Sequence, residues 1–364
     1  MALDFVIKRN DEPLPAEQRA QILATPGFGK SFTDHMVTVT WTASDGWHDA
    51  QVRPYGPLQL DPSSAVLHYA QEIFEGLKAY RHADGSVWAF RPDQNAARFQ
   101  RSARRLALPE LATEDFVESV RALVDVDVEW VPSPEGGGET SLYLRPFMYA
   151  SEAFLGVRPA AEVTYCVIAS PAGPYFSGGV KPVSIWLSTN YTRAAPGGTG
   201  AAKCGGNYAA SLAAQVEASA NGCDQVCFLD AVEHRWVEEL GGMNLYFVLD
   251  DGSVVTPELT GTILEGVTRD SVLELLRDEG HEVVERRVGI EEWRDGAASG
   301  RIREVFACGT AAVITPLGRL VSPDGEVVMA DGGTGPVTAG VRSRLLDLQY
   351  GRVEDPHRWM HRLV

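Results

Sequence analysis

The sequence is short of basic residues, has few cysteines and lacks any long hydrophobic run. It contains 32 lysines and arginines against 49 aspartates and glutamates, so its formal net charge is −17. An acidic surface repels nucleic acids and anionic lipids, and we expect neither as a partner. No run approaches the ~20 apolar residues that a membrane-spanning helix needs, and the first residues carry no apolar core of a signal peptide. These absences favour a cytoplasmic protein without membrane contacts.

The five cysteines do not form the pattern of a disulfide framework or a zinc site. Their number is odd, and Cys223 and Cys227 have no second cysteine pair or histidine pair to complete a metal site. Reduced thiols are the normal state of cytoplasmic cysteines. We therefore expect five free thiols and no bound metal.

The length and composition predict two globular domains. Of the 364 residues, 45% are hydrophobic and 22% are charged, and a single core stops growing at roughly 250–300 residues. The stretch 171–183 is rich in proline and glycine, as linkers often are. We predict an N-terminal domain at 1–174, a linker at 175–187 and a C-terminal domain at 188–364.

Apolar periodicity and turn residues predict a mixture of helices and strands, which places the chain in the α+β class. Asp93 and Asn207 are the candidate N-caps of two of the helices. The helices are predicted at 92–108, 113–128, 207–222 and 266–280. The strands are predicted at 32–41, 73–91 (two strands joined by a turn), 141–151, 162–170, 184–194, 225–258 (several strands) and 304–321 (two strands).

The segment PGGTGAAKCGGNY, residues 196–208, places Lys203 among five glycines. It lacks the G-x-x-x-x-G-K-[ST] pattern of a nucleotide-binding P-loop, and Lys203 occupies the place of the third glycine in a dinucleotide fingerprint. A solvated surface lysine is one interpretation. The other is a lysine whose small neighbours let the backbone close on a flat ligand. In a tight, partly apolar pocket such an amine loses its proton readily and attacks aldehydes.

Nine segments resemble the branched-chain amino acid aminotransferases of the pyridoxal-phosphate class IV fold, in family order and at family spacing from about residue 30 to residue 350. The resemblance implies a smaller N-terminal α/β domain and a larger C-terminal domain with a mixed, β-barrel-like core. It also implies that Lys203, the lysine before GGNY, holds pyridoxal 5′-phosphate covalently and acts as the general base. The segments are FTDHMVTVTW, HYAQEIFEGLKAYR, NAARFQRSARRL, LYLRP, GPYFSGG, KCGGNYAAS, VEELGGMN, GTILEGVTRDS and REVFACGTAAVITP.

The resemblance also assigns residues to each part of the cofactor. Glu239 is expected beside the ring nitrogen, where a carboxylate favours the protonated ring, while its neighbour Glu238 is expected to be a solvated strand residue. Tyr208 is expected to bond the ring oxygen. Arg98 is expected on the phosphate, although its helix also carries Arg101, Arg104 and Arg105. The further phosphate ligands are expected to be Val267 and Thr268, at a helix N-terminus, and Thr310.

The substrate site implied by the resemblance combines backbone amides with an apolar, aromatic pocket. The amides of Thr310 and Ala311 are expected to bind the α-carboxylate. Leu155 and Val157 match a loop that the second subunit of a homodimer contributes near the active site. The remaining pocket residues are expected to be Phe32, Tyr69, Phe74, Tyr143, Arg145 and Tyr175, and core packing is the alternative for each aromatic ring.

Two departures from mammalian relatives leave the groups needed for the chemistry in place. Ala312 and Thr315 stand in place of a cysteine pair, so thiol regulation of that kind is not expected. Gly242 replaces a threonine, and any contact of that hydroxyl is lost.

The resemblance implies amino-group transfer between leucine, isoleucine or valine and 2-oxoglutarate, which gives branched-chain 2-oxo acids and glutamate. Two alternatives remain open from the sequence. One is another class IV reaction, such as that of D-amino acid transaminases or aminodeoxychorismate lyases. The other is a protein that stores or senses pyridoxal phosphate without catalysing a reaction.

Overall fold

A computed structural model describes residues 2–133, 139–173 and 180–364. Within these residues no helix has both the length and the apolar character to cross a membrane. The α-helices are α1 (Ala16–Ala24), α2 (Ala65–Tyr69), α3 (Pro92–Arg105), α4 (Thr113–Val126), α5 (Gly205–Ala220), α6 (Val267–Asp278), α7 (Ile290–Ser299) and α8 (Pro336–Gln349).

The strands confirm the α+β class predicted from the sequence. They are β1 (Val6–Ile7), β2 (His35–Thr42), β3 (Gly46–Pro54), β4 (Glu72–Phe74), β5 (Leu77–Arg81), β6 (Val87–Phe90), β7 (Ser141–Ala150), β8 (Glu162–Ala172), β9 (Val183–Leu187), β10 (Gln225–Leu229), β11 (Val237–Leu240), β12 (Asn244–Leu249), β13 (Val254–Thr256), β14 (Val283–Glu285), β15 (Ile302–Gly309), β16 (Val313–Ser322), β17 (Gly325–Val328) and β18 (Met360–Arg362).

The chain divides into two compact units. The first contains Met1–Tyr175, Ala202–Gly205 and Asp347–Val364, and the second contains Phe176–Ala201 and Gly206–Leu346. The short segment that carries Lys203 therefore packs with the first unit. The linker at 175–187 overlaps residues outside the described ranges, and the predicted domain boundaries stay predictions.

The first unit is built on a largely antiparallel sheet with the strand order β1-β3-β2-β8-β7-β5-β6-β18, while β4 pairs with β7. Helices α3 and α4 supply part of its core. Phe99 of α3, Phe116 of α4 and Tyr165 of β8 are buried, with ring centroids 5.5–6.3 Å apart. The Tyr165 hydroxyl is satisfied by Ser119, 2.8 Å away, so the aromatic cluster buries no unpaired hydroxyl.

Helix α3 begins without a side-chain cap, so the prediction of Asp93 as N-cap is wrong. Arg91, in the left-handed region at φ 48°, precedes the helix, and Pro92 occupies its first position. Proline has no N–H to satisfy there and its φ suits a helix start. The helix turns Asn95, Arg98 and Ser102 towards the interior, and these polar residues lead to the candidate site.

The second unit is built on a mixed sheet with the order β11-β10-β9-β16-β15-β12-β13-β14, while β17 pairs with β16. The strands β9, β10 and β16 run parallel to one another, and β12 is antiparallel to both β13 and β15. The edge strand β11 turns directly into β12 through a bond from Leu240 N–H to the carbonyl of Met243, 2.9 Å. This turn joins two strands that lie far apart in the strand order of the sheet.

Asn207 lies inside α5, so it is not an N-cap. Its side-chain amide donates to the Thr199 carbonyl at 2.9 Å and its side-chain oxygen accepts from the Thr199 hydroxyl at 2.7 Å. Asn207 thus links the glycine-rich loop to helix α5. An N-cap bond would instead have stayed within the first turn of the helix.

Candidate active site

Lys203 is held through its backbone rather than left in a solvated loop. Its N–H donates to the Ser102 hydroxyl of α3 at 2.9 Å, and its carbonyl accepts from Phe74 N–H at 2.9 Å. Two residues later, Gly205 N–H donates to the carboxylate of Glu72, whose pKa is raised by burial. The segment is therefore bound along β4, and the interpretation of Lys203 as a freely solvated surface lysine is wrong.

The side chain of Lys203 lies against an aromatic ring. Its Nζ is 4.7 Å from the centre of the Phe74 ring, and the guanidinium carbon of Arg145 is 4.7 Å from the same centre. Arg145 Nη2 also donates to the Tyr143 hydroxyl at 3.1 Å. The first unit thus brings together Lys203, Phe74, Tyr143 and Arg145, four of the residues predicted from the sequence. A Cβ at position 76 would collide with the Tyr143 hydroxyl, so the glycine leaves room for this side chain in its present position.

Arg98 forms a bidentate ion pair with Glu75, a residue that the sequence analysis did not single out. Arg98 Nε donates to Oε1 at 2.7 Å and Nη2 donates to Oε2 at 2.8 Å, and both residues are buried. Burial opposes ionisation of Glu75, but the charge and hydrogen bonds of Arg98, the charge of Lys203 and a bond from Asn95 together lower its pKa. A buried carboxylate near Lys203 is therefore kept charged.

Arg98 differs from the other arginines of its helix. Arg101, Arg104 and Arg105 are exposed, whereas Arg98 faces the interior. A buried guanidinium with a fixed plane is suited to bind phosphate oxygens.

In the second unit, Glu239 is a buried carboxylate with two donors on one oxygen. Its side chain lies in β11, and its Oε1 accepts from Leu264 N–H at 2.7 Å and lies 2.9 Å from Nη1 of Arg193. Arg193 was missed by the sequence analysis. It is buried and it also donates to the carbonyls of Thr262 and Gly200. The guanidinium balances the charge of Glu239, which a buried carboxylate needs if it is to stay ionised.

Glu238 is not the solvated residue that the sequence analysis expected. It is buried, one of its oxygens accepts from the Thr262 hydroxyl, and the other has no hydrogen-bond partner. Burial raises its pKa, while the Thr262 bond and the Arg193 charge oppose that rise. Adjacent strand residues point to opposite faces, and here both faces of β11 are covered.

Helix α6 begins without a hydrogen bond from a capping side chain. Gly266 is the N-cap residue and has no side chain to satisfy the first N–H groups, so those of Val267 and Thr268 are suited to an anion. A Cβ on Gly266 would collide with the side-chain oxygen of Asn244. The glycine therefore allows the close approach that sets the start of the helix.

Thr310 and Ala311 form the turn between β15 and β16, as the sequence analysis predicted for these strands. Val313, directly after the turn, has φ 60°, a conformation that is strained for a β-branched residue. Such strain is found at functional sites. A Cβ on Gly242 would lie 3.7 Å from the Tyr208 ring, so this glycine packs beside the tyrosine predicted to bind the cofactor.

None of the contacts described for the other predicted pocket residues links them to the residues around Lys203 or to those around Glu239. Phe32 stacks on Tyr55 with ring centroids 5.1 Å apart, and Tyr69 is exposed. Leu155 and Val157 are 67% and 90% exposed in the single chain. Tyr175 lies outside the described residues.

Comparison with known proteins gives one consistent result. Residues 72–320 match the family described as Amino-transferase class IV. The chain is 61% identical over 358 residues to the probable branched-chain-amino-acid aminotransferase of Streptomyces coelicolor, covering 98% of both chains. It is 58% identical to the branched-chain-amino-acid aminotransferase of Mycobacterium tuberculosis, covering 100% of this chain and 99% of that protein.

A solved structure shares the fold. It is the T.th. branched-chain amino acid aminotransferase complexed with N-(5′-phosphopyridoxyl)-L-glutamate. The TM-score is 0.72 at 30% identity, and the match covers 90% of this chain and 98% of that one.

Proposed function

This chain belongs to the class IV aminotransferases, and we propose that Lys203, Glu239 and Arg98 are the residues that bind and use its cofactor, pyridoxal 5′-phosphate. The protein is a branched-chain amino acid aminotransferase. The observation that carries the residue assignment is the half-buried Lys203, held by both backbone groups with its amine over Phe74.

The donor set fits this cofactor. Pyridoxal 5′-phosphate supplies an aldehyde for a lysine amine and an electron sink for charge that develops on the substrate Cα. Glu239 is a buried carboxylate whose charge is balanced by Arg193, and it suits a protonated ring nitrogen. Tyr208 is proposed as the donor to the ring oxygen. Arg98, the first N–H groups of α6 and Thr310 are of the kinds that bind phosphate.

Lys203 has two roles in this proposal. Its amine holds the cofactor, and after release it takes the proton from the Cα of the amino acid. The contacts to Ser102 and Phe74 fix the backbone of Lys203, so the amine moves only by its own side-chain torsions. A base that is already oriented loses less entropy when it reacts.

The substrate assignments follow from the chemistry of each group. Phe74 and Tyr143 offer apolar surface for a branched side chain, where each buried methylene contributes about 0.8 kcal/mol. Arg145, above the Phe74 ring, offers a cation for the second carboxylate of glutamate or 2-oxoglutarate. The amides of Thr310 and Ala311 are proposed to bind the α-carboxylate. The N-(5′-phosphopyridoxyl)-L-glutamate in the T.th. relative supports a glutamate-accepting site.

We further propose that the enzyme is a homodimer of the cytoplasm. The exposed Leu155 and Val157 would then be covered by the second subunit and would contribute to its substrate pocket. The five free thiols support a reducing compartment.

The test is the Lys203→Ala variant, compared with Lys181→Ala at an exposed lysine. We expect Lys203→Ala to lose the near-visible absorbance of the bound cofactor and nearly all transfer from L-leucine to 2-oxoglutarate, while Lys181→Ala keeps both. Full activity of Lys203→Ala would overturn the assignment.

Parallel assays with D-alanine and aminodeoxychorismate test the other class IV reactions. A wild-type absorbance spectrum that does not change on addition of L-leucine would indicate a protein that carries the cofactor without catalysis.

A further inference from the structure

Arg193 makes three contacts through a single nitrogen. Its Nη1 lies 2.9 Å from Oε1 of Glu239, 2.8 Å from the Thr262 carbonyl and 3.2 Å from the Gly200 carbonyl. The side chain is 4% exposed and its Nε has no partner. These three oxygens therefore fix the position of the guanidinium, although its Nε donor makes no hydrogen bond.

The contacts of Arg193 also organise the second donor to Glu239. The N–H of Leu264 binds the same carboxylate oxygen at 2.7 Å, and Leu264 lies two residues after Thr262, whose carbonyl Arg193 holds. Gly200 lies so close to Thr262 that a Cβ would collide with its backbone. One guanidinium thus contacts the carboxylate, the loop before α6 that donates to it and the glycine-rich loop.

We propose that Arg193 is a positioning residue that orients Glu239 and keeps it negatively charged for the cofactor ring. This inference rests on the proposed function, since it assumes that Glu239 faces the ring nitrogen. The contacts with Glu239, Thr262 and Gly200 all fall on Nη1, so the role calls for a cation that reaches this point. A lysine would bring the charge on a side chain one bond shorter, and a neutral side chain would leave Glu239 buried without a compensating cation.

The role predicts a kinetic effect that acts through Glu239. In Arg193→Gln, we expect kcat for L-leucine to fall about 10-fold or more while KM changes less than about 3-fold, because the loss is in the reacting state. The absorbance spectrum of the bound cofactor should change as well, since the charge beside its ring nitrogen changes. Arg193→Lys should recover part of both effects.

A double-mutant cycle separates positioning from general support of the fold. In a Glu239→Gln background, adding Arg193→Gln should lower kcat by less than about 2-fold, because the carboxylate that it orients is already absent. Independent, multiplicative losses would overturn the proposal. So would an Arg193→Gln protein with the wild-type spectrum and kcat.

Arg269→Gln is the matched control for burial. Arg269 is as buried as Arg193 and also joins a glutamate, Glu285 at 2.8 Å, and a backbone carbonyl, Pro257 at 3.0 Å. We expect it to lower the melting temperature without the spectral change. If both arginine variants changed the spectrum alike, the effect of Arg193 would be structural.

The outcomes distinguish this inference from the proposed function. Loss of turnover in Lys203→Ala together with a normal Arg193→Gln enzyme would remove only the role of Arg193. Normal turnover in Lys203→Ala would remove the proposed function itself. If Arg193→Gln does not fold, the Arg193→Lys variant carries the test, because a wild-type spectrum and kcat with the shorter lysine would contradict a need for the contact between Arg193 Nη1 and Glu239.

Discussion

Glu75 and Arg98 form a bidentate ion pair inside the first unit, with both charges shielded from solvent. The carboxylate also accepts from the Asn95 side chain at 2.8 Å, and the nearby charge of Lys203 favours its ionised form. The pair fixes the plane of the guanidinium that is proposed to bind the cofactor phosphate. The stability of the ion pair and the orientation of the Arg98 guanidinium therefore depend on the same two hydrogen bonds.

Replacing Glu75 should destabilise the protein strongly. In Glu75→Gln the buried Arg98 loses its counter-charge, and breaking a buried pair in this way costs about 3–5 kcal/mol. The measurement is the free energy of unfolding in denaturant. The control is Glu118→Gln, which breaks the exposed pair with Arg121 and should change stability by less than about 1 kcal/mol. Equal stability of the Glu75 variant and the wild type would contradict the prediction.

Asp230 should stabilise the β10–β11 hairpin in a pH-dependent manner. Partial burial opposes its ionisation, but four backbone N–H groups, those of Val232, Glu233, Arg235 and Trp236, lower its pKa to about 2. A carboxyl with a depressed folded-state pKa stabilises the fold above its unfolded pKa, near 3.9, and loses that contribution as pH falls towards 2.

We therefore expect Asp230→Asn to be about 1–2 kcal/mol less stable than the wild type at neutral pH, allowing for partial exposure of the group. The difference should shrink between pH 4 and pH 2 as the wild-type carboxyl is protonated. Denaturation curves of both proteins across this range provide the measurement. A difference that is independent of pH would show that the charge of Asp230 does not matter.

The five cysteines should be unreactive in the native protein. All are free and buried, and burial raises the pKa of Cys166 and of Cys308 to about 12 and also raises that of Cys223 and Cys227. Because the thiolate is the reactive form, a colorimetric thiol reagent should modify them only after unfolding.

Ser219→Cys, on the exposed face of α5, is the control for the reagent and should react at once in the folded protein. Rapid modification of a native cysteine in the wild type would contradict the prediction. Such a thiol could be identified by peptide mapping.

Helices and strands with a periodic apolar pattern were predictable from the sequence, because that pattern lies within the element itself. The alternation of β2 and the apolar spacing of α4 place both elements correctly. The strand β18, three residues long, has no periodic pattern and exists through its pairing with β6. The cap predictions at Asp93 and Asn207 were wrong since proline and a loop contact replaced the expected bonds.

The sequence predicts the candidate-site residues that lie in a recognisable motif. It does not predict those whose role depends on a partner far away in the sequence. Lys203 and Glu239 lie in recognisable segments. Arg193 and Glu75 look like ordinary charged residues in the sequence, and only the fold shows that each is buried against another candidate site residue. Glu238 was expected in solvent because nothing in the strand indicates that its second face is covered.

The short strand β18 lies beside β6 at one edge of the first sheet, although in the sequence it follows the other strands of that sheet by almost 200 residues. On the ribosome, the edge of β6 must wait until nearly the whole polypeptide has been translated. During that interval the second unit already has all its residues, 176–201 and 206–346. Domains generally fold as units during synthesis. The second unit can therefore reach its native form before the first unit is complete. A nascent chain stalled near residue 350 should expose the unpaired edge of β6 to chaperones.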